Sequence, residues 1–300
     1  MMKFDTKDGV GIIPEGTTAI EAYAFYGCTS LTSVTIPDSV IRIGHKAFSE
    51  CRNLTKINIP NSVTAIEAYA FYGCTSLTSV TIPDSVIRIG HNAFSECRNL
   101  TKINIPNSVT AIGHNAFSEC RNLTKINIPN SVTAIGHQAF FYCVTLTNCS
   151  IPEGVTEIGF RSFHGCHSLT SITIPDSVTT IRGSAFGNCK NLAEIIIGSG
   201  VRTIGAEAFA YSRNLRAVYC KNTIPPAGGF RAFEENAPER KIYVPRGFGN
   251  AYKTASGFSD YVEDRFDGAF WVDDYGVEEE PMELQYYWHL YANCIEETEF

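Results

Sequence analysis

The sequence lacks any apolar run of the roughly 18 residues that a membrane-spanning helix requires. Residues 1–11, MMKFDTKDGVG, also lack the apolar stretch of about 7–15 residues that is typical of a secretory signal. Two alternatives follow from the sequence alone: a protein that stays inside its cell, or a processed or truncated form of an exported one. No membrane span is predicted.

A strong excess of basic residues is also missing, which argues against a nucleic-acid partner. The formal net charge is −7, but 13 of the 31 acidic residues lie within residues 260–300, where Arg265 is the only lysine or arginine. That segment carries −12, and residues 1–259, with 23 bases against 18 acids, carry +5. The acidity is therefore a C-terminal property, and the rest of the chain is mildly basic.

Catalytic signatures are absent as well. The sequence contains no Gly-x-Ser-x-Gly elbow, no P-loop and no dinucleotide-binding glycine fingerprint after a strand. The repeated acids Glu50, Glu96 and Glu119 each lie two residues before an arginine. This spacing indicates a surface row of glutamates whose charges are neutralised by the arginines, rather than a catalytic pair of acids. No catalytic residue and no cofactor are predicted, and the expected function is non-enzymatic.

What the sequence does contain is a strict repeat of 23 residues. Phenylalanine recurs at this spacing nine times, at Phe25, Phe48, Phe71, Phe94, Phe117, Phe140, Phe163, Phe186 and Phe209. A fixed period of this length is typical of a solenoid, whose stacked coils bury one another's apolar faces. We expect one continuous core through residues 12–218, about nine units.

Each unit, such as LTKINIPNSVTAIEAYAFYGCTS, predicts two short strands and a turn. Ile57 and Ile59 alternate with polar residues, which indicates a half-buried strand that Pro60 ends. Val63 and Ile66 predict a second extended segment, and the Ala-Phe-x-x-Cys block predicts one 3₁₀ or α turn. A corner with positive φ is predicted at the glycines after the second segment: Gly44, Gly90, Gly113, Gly136, Gly159 and Gly205.

These columns, IPxSVTxIGxxAFxxCxxLTxI, resemble the BspA-type leucine-rich repeat family, also described as the Treponema-type class. Where commoner leucine-rich repeats have an asparagine, this chain has Ser39, Ser62, Ser85, Ser108, Ser131 and Ser177, with Gly16, Gly154 and Gly200. The resemblance implies a leucine-rich repeat solenoid, a right-handed α/β superhelix of mostly short strands with 3₁₀ or short helical turns. It also implies a non-enzymatic surface or secreted protein used in adhesion to host or neighbouring cells.

Outside the array, residues 1–11 and 219–262 are expected to cap the two ends. Val218-Tyr219-Cys220 and Lys241–Pro245 resemble the closing segment of such proteins in gut Bacteroidetes. Residues 263–300 form an acidic tail, in which residues 281–297 place apolar side chains on one helical stripe. The alternatives for this stretch are a helix packed on the cap, a partner-binding or swapped helix, and disorder.

Two columns of the array could suggest a metal or redox site. Eight cysteines recur from Cys28 to Cys189, and because all share one inward orientation a reduced core column is favoured over disulfides or a metal. Cys220 and Cys294 lie outside the array and could pair. The histidine column predicts parallel rings rather than converging ligands; its members are His45, His91, His114 and His137. His164 and His167 lack matching partners, and no metal is predicted.

The candidate binding surface is the outward face of the strands, a flat array of hydroxyls, amides and lysines. Its candidate residues are Lys56, Asn58, Arg98, Lys102, Asn104, Arg121, Lys125, Asn127 and Tyr219. The densest positive patch, at Lys102 and Lys125, predicts a weak preference for acidic partners. Tyr219 is the only aromatic on this face, which argues against a polysaccharide or single-stranded nucleic-acid binder. The alternative is a merely soluble face.

Two function classes remain. The favoured one is a protein-binding or adhesion module whose partners are proteins, including those of host or neighbouring-cell surfaces. The other is an intracellular interaction scaffold that contacts partners through the acidic C-terminal tail.

Overall fold

A computed structural model describes residues 6–255 and 293–300. Its elements, in chain order, are β1 (Thr6–Lys7), β2 (Val10–Ile12), β3 (Ala19–Ile20), β4 (Ser33–Thr35), β5 (Arg42–Ile43), β6 (Lys56–Asn58), β7 (Ala65–Ile66), β8 (Ser79–Thr81), β9 (Arg88–Ile89), β10 (Lys102–Asn104), β11 (Ala111–Ile112), β12 (Lys125–Asn127), β13 (Ala134–Ile135), β14 (Glu157–Ile158), β15 (Ser171–Ile174), β16 (Thr180–Ile181), β17 (Glu194–Ile197), β18 (Thr203–Ile204), β19 (Ala217–Cys220), β20 (Ala227–Gly228), β21 (Lys241–Pro245), α1 (Gly249–Thr254) and β22 (Ile295–Thr298).

These strands form a β-solenoid of about ten turns, which confirms the predicted leucine-rich repeat architecture. Ten two-residue strands make one sheet (β3, β5, β7, β9, β11, β13, β14, β16, β18 and β20). The longer strands, together with the two-residue β1, make a seven-stranded sheet (β1, β2, β4, β6, β8, β10 and β12) and a five-stranded sheet (β15, β17, β19, β21 and β22). Strands of successive coils pair in parallel with a register of one repeat, so Ile103 lies beside Ile126. The two longer-stranded sheets are separated at Asn148, which makes only an isolated bridge to Lys125.

The core is a continuous stack of phenylalanine rings with aliphatic columns around it. Neighbouring rings from Phe25 to Phe209 have centroids 5.1–5.7 Å apart and lie within 18° of parallel. The interior members of the stack are fully buried. Each buried ring is worth roughly 1.5–3 kcal/mol relative to exposure, so every coil depends on the coils above and below it for its burial.

The glycines after the second strand are not at a positive-φ corner, and that prediction is wrong. A Cβ built on Gly136 would lie 2.5 Å from the backbone nitrogen of His114, and one on Gly113 would lie 2.7 Å from that of His91. Glycine therefore serves here because adjacent coils approach closely. The positive φ angles lie two and six residues later, at residues such as Asn115 (53°) and Glu119 (60°).

These left-handed residues also explain why the Ala-Phe-x-x-Cys block is not the predicted 3₁₀ or α turn. Along this block, some backbone N–H groups donate to a carbonyl of the next coil and others donate to a carbonyl three residues back. The N–H of Phe48 donates to Ala70 of the next coil (2.8 Å), whereas the N–H of Cys51 donates to Phe48 three residues back (3.2 Å). A helical turn requires an unbroken run of right-handed residues, and the positive φ at Lys46 and Glu50 interrupts it.

The solenoid continues past residue 218, where the sequence pattern placed the end of the array. Strand β20 pairs with β18, β21 pairs with β19, and Phe233 stacks on Phe209 at 5.3 Å. This last coil spans 24 residues instead of 23, so it falls out of the strict period. Beyond it, Tyr252 of α1 is fully buried and donates its hydroxyl to Asn222 O at 3.0 Å.

The predicted helix over 281–297 lies mostly outside the described residues, as do residues 263–280 of the acidic tail. Its last three positions, from Ile295, belong to β22, which pairs with β21, so the helix prediction is wrong there. Backbone pairing with an open sheet edge outweighs the helical spacing of the apolar residues. No helix within residues 6–255 and 293–300 is both long and apolar enough to cross a membrane.

The serine column forms a row of hydrogen bonds between coils. Ser108 Oγ donates to Val86 O (2.6 Å), Ser131 to Val109 O (2.7 Å) and Ser177 to Val155 O (2.8 Å). Gly154 and Gly200 occupy the same column without a hydroxyl. A Cβ on Gly154 would make ordinary contacts, 3.4 Å to Thr133 and 3.5 Å to Val132 O, whereas one on Gly200 would collide with the carbonyl oxygen of Asp176.

We expect Gly154→Ser to raise the free energy of unfolding by about 0.5–1.5 kcal/mol, because its hydroxyl can donate to Val132 O. Gly200→Ser is the matched control and should lower that free energy by about 1–2 kcal/mol through overpacking. Urea unfolding followed by circular dichroism measures both. A shift of the same sign for the two variants would contradict the proposed difference in backbone clearance.

Candidate functional site

The candidate face brings part of the predicted residue set together. The parallel register places Lys102 of β10 beside Lys125 of β12, and Asn104 beside Asn127. All four side chains are exposed, as are those of Lys56 and Asn58 on β6, two strands away across β8. Because strands are about 4.8 Å apart, two ammonium groups stand side by side over a row of amides. Such an array can hydrogen-bond an extended acidic or amide-rich surface.

The predicted arginines pair with the glutamates two residues before them, as the Glu-x-Arg spacing predicts. Arg98 forms an ion pair with Glu96 (2.8 Å), and Arg121 forms one with Glu119 (2.6 Å). The adjacent carboxylate raises the pKa of Arg121. These pairs neutralise the turn before each strand, so the net positive charge of the face comes from its lysines.

Tyr219 lies apart from the lysine patch, near the C-terminal end of the solenoid. Its strand β19 belongs to the five-stranded sheet, and its ring stacks on Tyr243 of β21 with centroids 4.7 Å apart. Phe300 lies edge-on to Tyr219 at 6.4 Å. Tyr243 and Phe300 are aromatic residues of this face that the sequence prediction missed. Extending the Tyr219 column by the 24-residue spacing of the last coil would have found Tyr243.

Three members of the histidine column, on consecutive coils, form a stack of parallel rings as predicted, whereas His45 lies edge-on to Tyr23 and Tyr69 with centroids at 5.5 Å and 5.7 Å. The centroids of His91 and His114 are 4.8 Å apart, and those of His114 and His137 are 4.7 Å apart. Each Nδ1 accepts a backbone N–H of the next coil: His114 N donates to His91, His137 N to His114, and Phe160 N to His137, at 2.8–2.9 Å. The Nδ1 lone pairs are thus used in coil-to-coil hydrogen bonds.

Burial holds these imidazoles neutral. It lowers the pKa of His114 to about 4, with His137 and His91 adding smaller effects, and it also lowers the pKa of His91 and of His137. Within residues 6–255 and 293–300, no group of three or more histidine, cysteine, aspartate or glutamate side chains is arranged to hold a metal ion. His164 and His167 instead pack on Tyr142, with ring centroids at 5.9 Å.

The cysteine column consists of free thiols, and its seven members from Cys51 to Cys189 act as hydrogen-bond donors. Cys51 Sγ donates to Phe25 O of the preceding coil at 3.0 Å, and Cys120 Sγ donates to Phe94 O at 3.1 Å. Burial raises the pKa of Cys51 to about 12, so the thiol keeps the proton that it donates. Ser212 makes the same bond to Phe186 O at 3.2 Å, which explains how serine replaces cysteine there.

The described fold is similar to that of known bacterial proteins. The model of the BspA type leucine rich repeat region matches residues 12–123 and 110–238, with six copies. A leucine-rich repeat protein from Bacteroides ovatus is 25% identical, with 84% of this chain and 79% of that chain covered and a TM-score of 0.56. The T. pallidum leucine rich repeat protein is 29% identical, with 64% and 81% covered and a TM-score of 0.50.

A comparison with curated proteins gives no significant match. The family model nevertheless spans the Phe stack and extends past residue 218 to residue 238, which includes Phe233 of the 24-residue coil. The two solved structures share the solenoid over most of their own length. The chain belongs to the BspA-type leucine-rich repeat family.

Proposed function

We propose that this protein is a non-enzymatic module that binds protein partners through the outward strand face and serves in adhesion to host or neighbouring-cell surfaces. Leucine-rich repeat families generally act as non-enzymatic scaffolds for protein partners. The observation that carries the proposal is the in-register pair of Lys102 and Lys125 above the row of Asn104 and Asn127.

This face suits a protein partner rather than a small molecule. The side chains of Lys56, Lys102 and Lys125 are exposed, and these lysines have no ion-pair partner among the described residues. Charged rim residues of this kind steer encounter with an oppositely charged surface and make association dependent on salt. The partner is therefore expected to present carboxylates.

The test is a charge reversal on the face. We expect Lys102→Glu combined with Lys125→Glu to reduce binding of the labelled protein to cultured epithelial cells and to bacterial cells at least about 10-fold. Added salt should weaken binding of the parent protein in the same direction. Flow cytometry over a concentration series measures the bound fraction.

The matched control is Lys190→Glu combined with Lys221→Glu, which changes the net charge equally at exposed residues off the two strand columns. This control should bind like the parent protein. Equal loss in both double variants would mean that net charge, and not the face, governs binding. Parent-like binding of the Lys102/Lys125 variant would overturn the assignment of this face, and absence of any cell binding would overturn the adhesion proposal.

A further inference from the structure

The last coil of the solenoid ends at a sheet edge that is filled by a distant part of the chain. Strand β22 pairs in parallel with β21 over four residues, with Ile295 beside Ile242 and Thr298 beside Pro245. The N–H of Arg246 also donates to Thr298 O at 3.0 Å. An open parallel edge is a template for any extended segment, and here the C-terminal residues of the same chain use it.

The edge selects an acidic strand through backbone donors. The Glu297 carboxylate accepts the N–H of Gly247 at Oε2 (2.9 Å) and the N–H of Gly249 at Oε1 (2.8 Å). A Cβ on Gly249 would lie 2.6 Å from Glu297 Oε1, so the carboxylate occupies space that only glycine leaves. These two hydrogen bonds lower the pKa of Glu297, which keeps the carboxylate charged.

Two ion pairs flank this contact. Lys241 Nζ lies 2.6 Å from Glu296 Oε1, and Arg246 Nη1 lies 2.9 Å from Glu299 Oε1. Ile295 is the one apolar side chain of β22 that is buried. The edge therefore recognises a short segment with an apolar residue followed by acids, and it does so with little buried apolar area.

The connection to this strand is long. Residues 256–292, 37 in number, separate α1 from the C-terminal segment. A chain of that length can span up to about 120 Å, so it does not by itself restrict the strand to its own solenoid. Contacts made by exposed ion pairs and a four-residue strand are individually weak. When two copies exchange their identical C-terminal strands, the same contacts form between the copies, so the exchange costs little free energy.

We propose that the edge formed by β21 and the Gly247–Gly249 loop is a strand-acceptor site, and that the C-terminal strand of a second copy fills it by exchange. Reciprocal exchange closes a two-fold dimer. The C-terminal strand of the same chain competes with that of the second copy, because its covalent connection gives it a high effective concentration at the site. Exchange is therefore favoured as the protein concentration rises.

The test uses a fluorescent peptide of residues 293–300, NCIEETEF, under reducing conditions, with anisotropy as the readout. A variant that ends at residue 292 should bind the peptide at least about 10-fold more tightly than the full chain, whose site is occupied. A peptide carrying Glu297→Gln should bind that variant at least about 10-fold more weakly. Equal binding of the two peptides, or no binding above a scrambled peptide, would overturn the acceptor site.

Exchange between copies is tested on the full chain, so the result does not depend on folding of the shortened variant. Light scattering over a concentration series should show a dimer that grows with protein concentration. The full-length Ile295→Asp variant, with its fold verified by circular dichroism, should remain monomeric and should bind the peptide more tightly than the parent. A parent protein that stays monomeric up to about millimolar concentration would overturn the exchange, since that is the range of intramolecular effective concentrations.

Discussion

Replacing Phe117 by alanine is expected to lower the free energy of unfolding by about 3–5 kcal/mol. Phe117 is fully buried, and its ring stacks between Phe94 at 5.6 Å and Phe140 at 5.5 Å. The substitution removes the ring from two interfaces at once. Because the solenoid is rigid on both sides, the space that remains cannot collapse, and the cavity adds to the lost transfer free energy.

This substitution should also change the shape of the unfolding transition. In a stacked array, stability is approximately a sum of coil terms and nearest-neighbour interface terms. A weak interface in the middle therefore separates the coils before Phe117 from those after it. In urea unfolding followed by circular dichroism, we expect two transitions for this variant and one for the parent chain.

The control for this result is Phe117→Leu, which keeps most of the apolar volume and should cost less than about 1.5 kcal/mol with a single transition. The prediction would be contradicted by a loss below 1 kcal/mol for Phe117→Ala. It would also be contradicted if the leucine and alanine variants were equally destabilised, because the effect would then not arise from the cavity.

Acidification is expected to remove stability through the histidine stack. The pKa of His114 is lowered to about 4 by burial, and the pKa values of His91 and His137 are lowered as well. An unfolded histidine titrates near pH 6.5. Between about pH 6.5 and pH 4, the unfolded chain therefore binds protons that the folded chain does not. Stability present above pH 6.5 is lost as the pH falls through this window, with no further loss from His114 below it.

The structure gives this loss a direct cause. Protonation at Nδ1 removes the acceptor that receives the backbone N–H of the following coil, and it places like charges in rings less than 5 Å apart. Arg88 next to His91, and Arg182 next to His137, act in the same direction, while Glu157 opposes it at His137. We expect His114 to contribute about 2–3 kcal/mol of this loss after discounting for its partial exposure, with His91 and His137 adding to it in the same direction.

The matched control is the triple variant His91→Ala, His114→Ala and His137→Ala. The chain itself has alanine in this column at Ala22, Ala68 and Ala206, so the fold accepts it. Urea unfolding at pH 7 and at pH 4.5 should show a smaller pH-dependent loss in the triple variant than in the parent, because carboxylates contribute equally to both. The same loss in both proteins would exclude the histidines as its source.

The core was predictable from the sequence because each coil packs against copies of itself. A residue such as Phe94 has the equivalent phenylalanine as its spatial neighbour, one period before and after it. A local pattern therefore predicts non-local contacts. The same logic placed the cysteines inward and the histidines in a parallel stack, and it correctly paired Lys102 with Lys125.

The incorrect predictions arose where one type of residue can be required for more than one physical reason. Glycine serves both for positive φ and for close approach of two backbones, and Gly113 and Gly136 are there for the second reason. The left-handed positions are occupied instead by residues such as Asn115 and Glu119. On the candidate face, the Glu-x-Arg spacing correctly indicated that Arg98 and Arg121 are neutralised, but spacing alone did not show that Tyr219 belongs to a separate aromatic cluster.

The sequence by itself determined the family, the coil length and the identity of the core columns. In a stacked repeat, equivalent residues one period apart become neighbours in space, so their spacing in the sequence predicts their contacts. Only the tertiary structure decided how the solenoid ends. A one-residue change in coil length hid the last turn at Phe233. The pairing of β22 with β21 joins segments of unrelated sequence across residues 256–292. Such a contact depends on an unfilled sheet edge and on backbone donors at Gly247 and Gly249, which leave no periodic signal in the sequence.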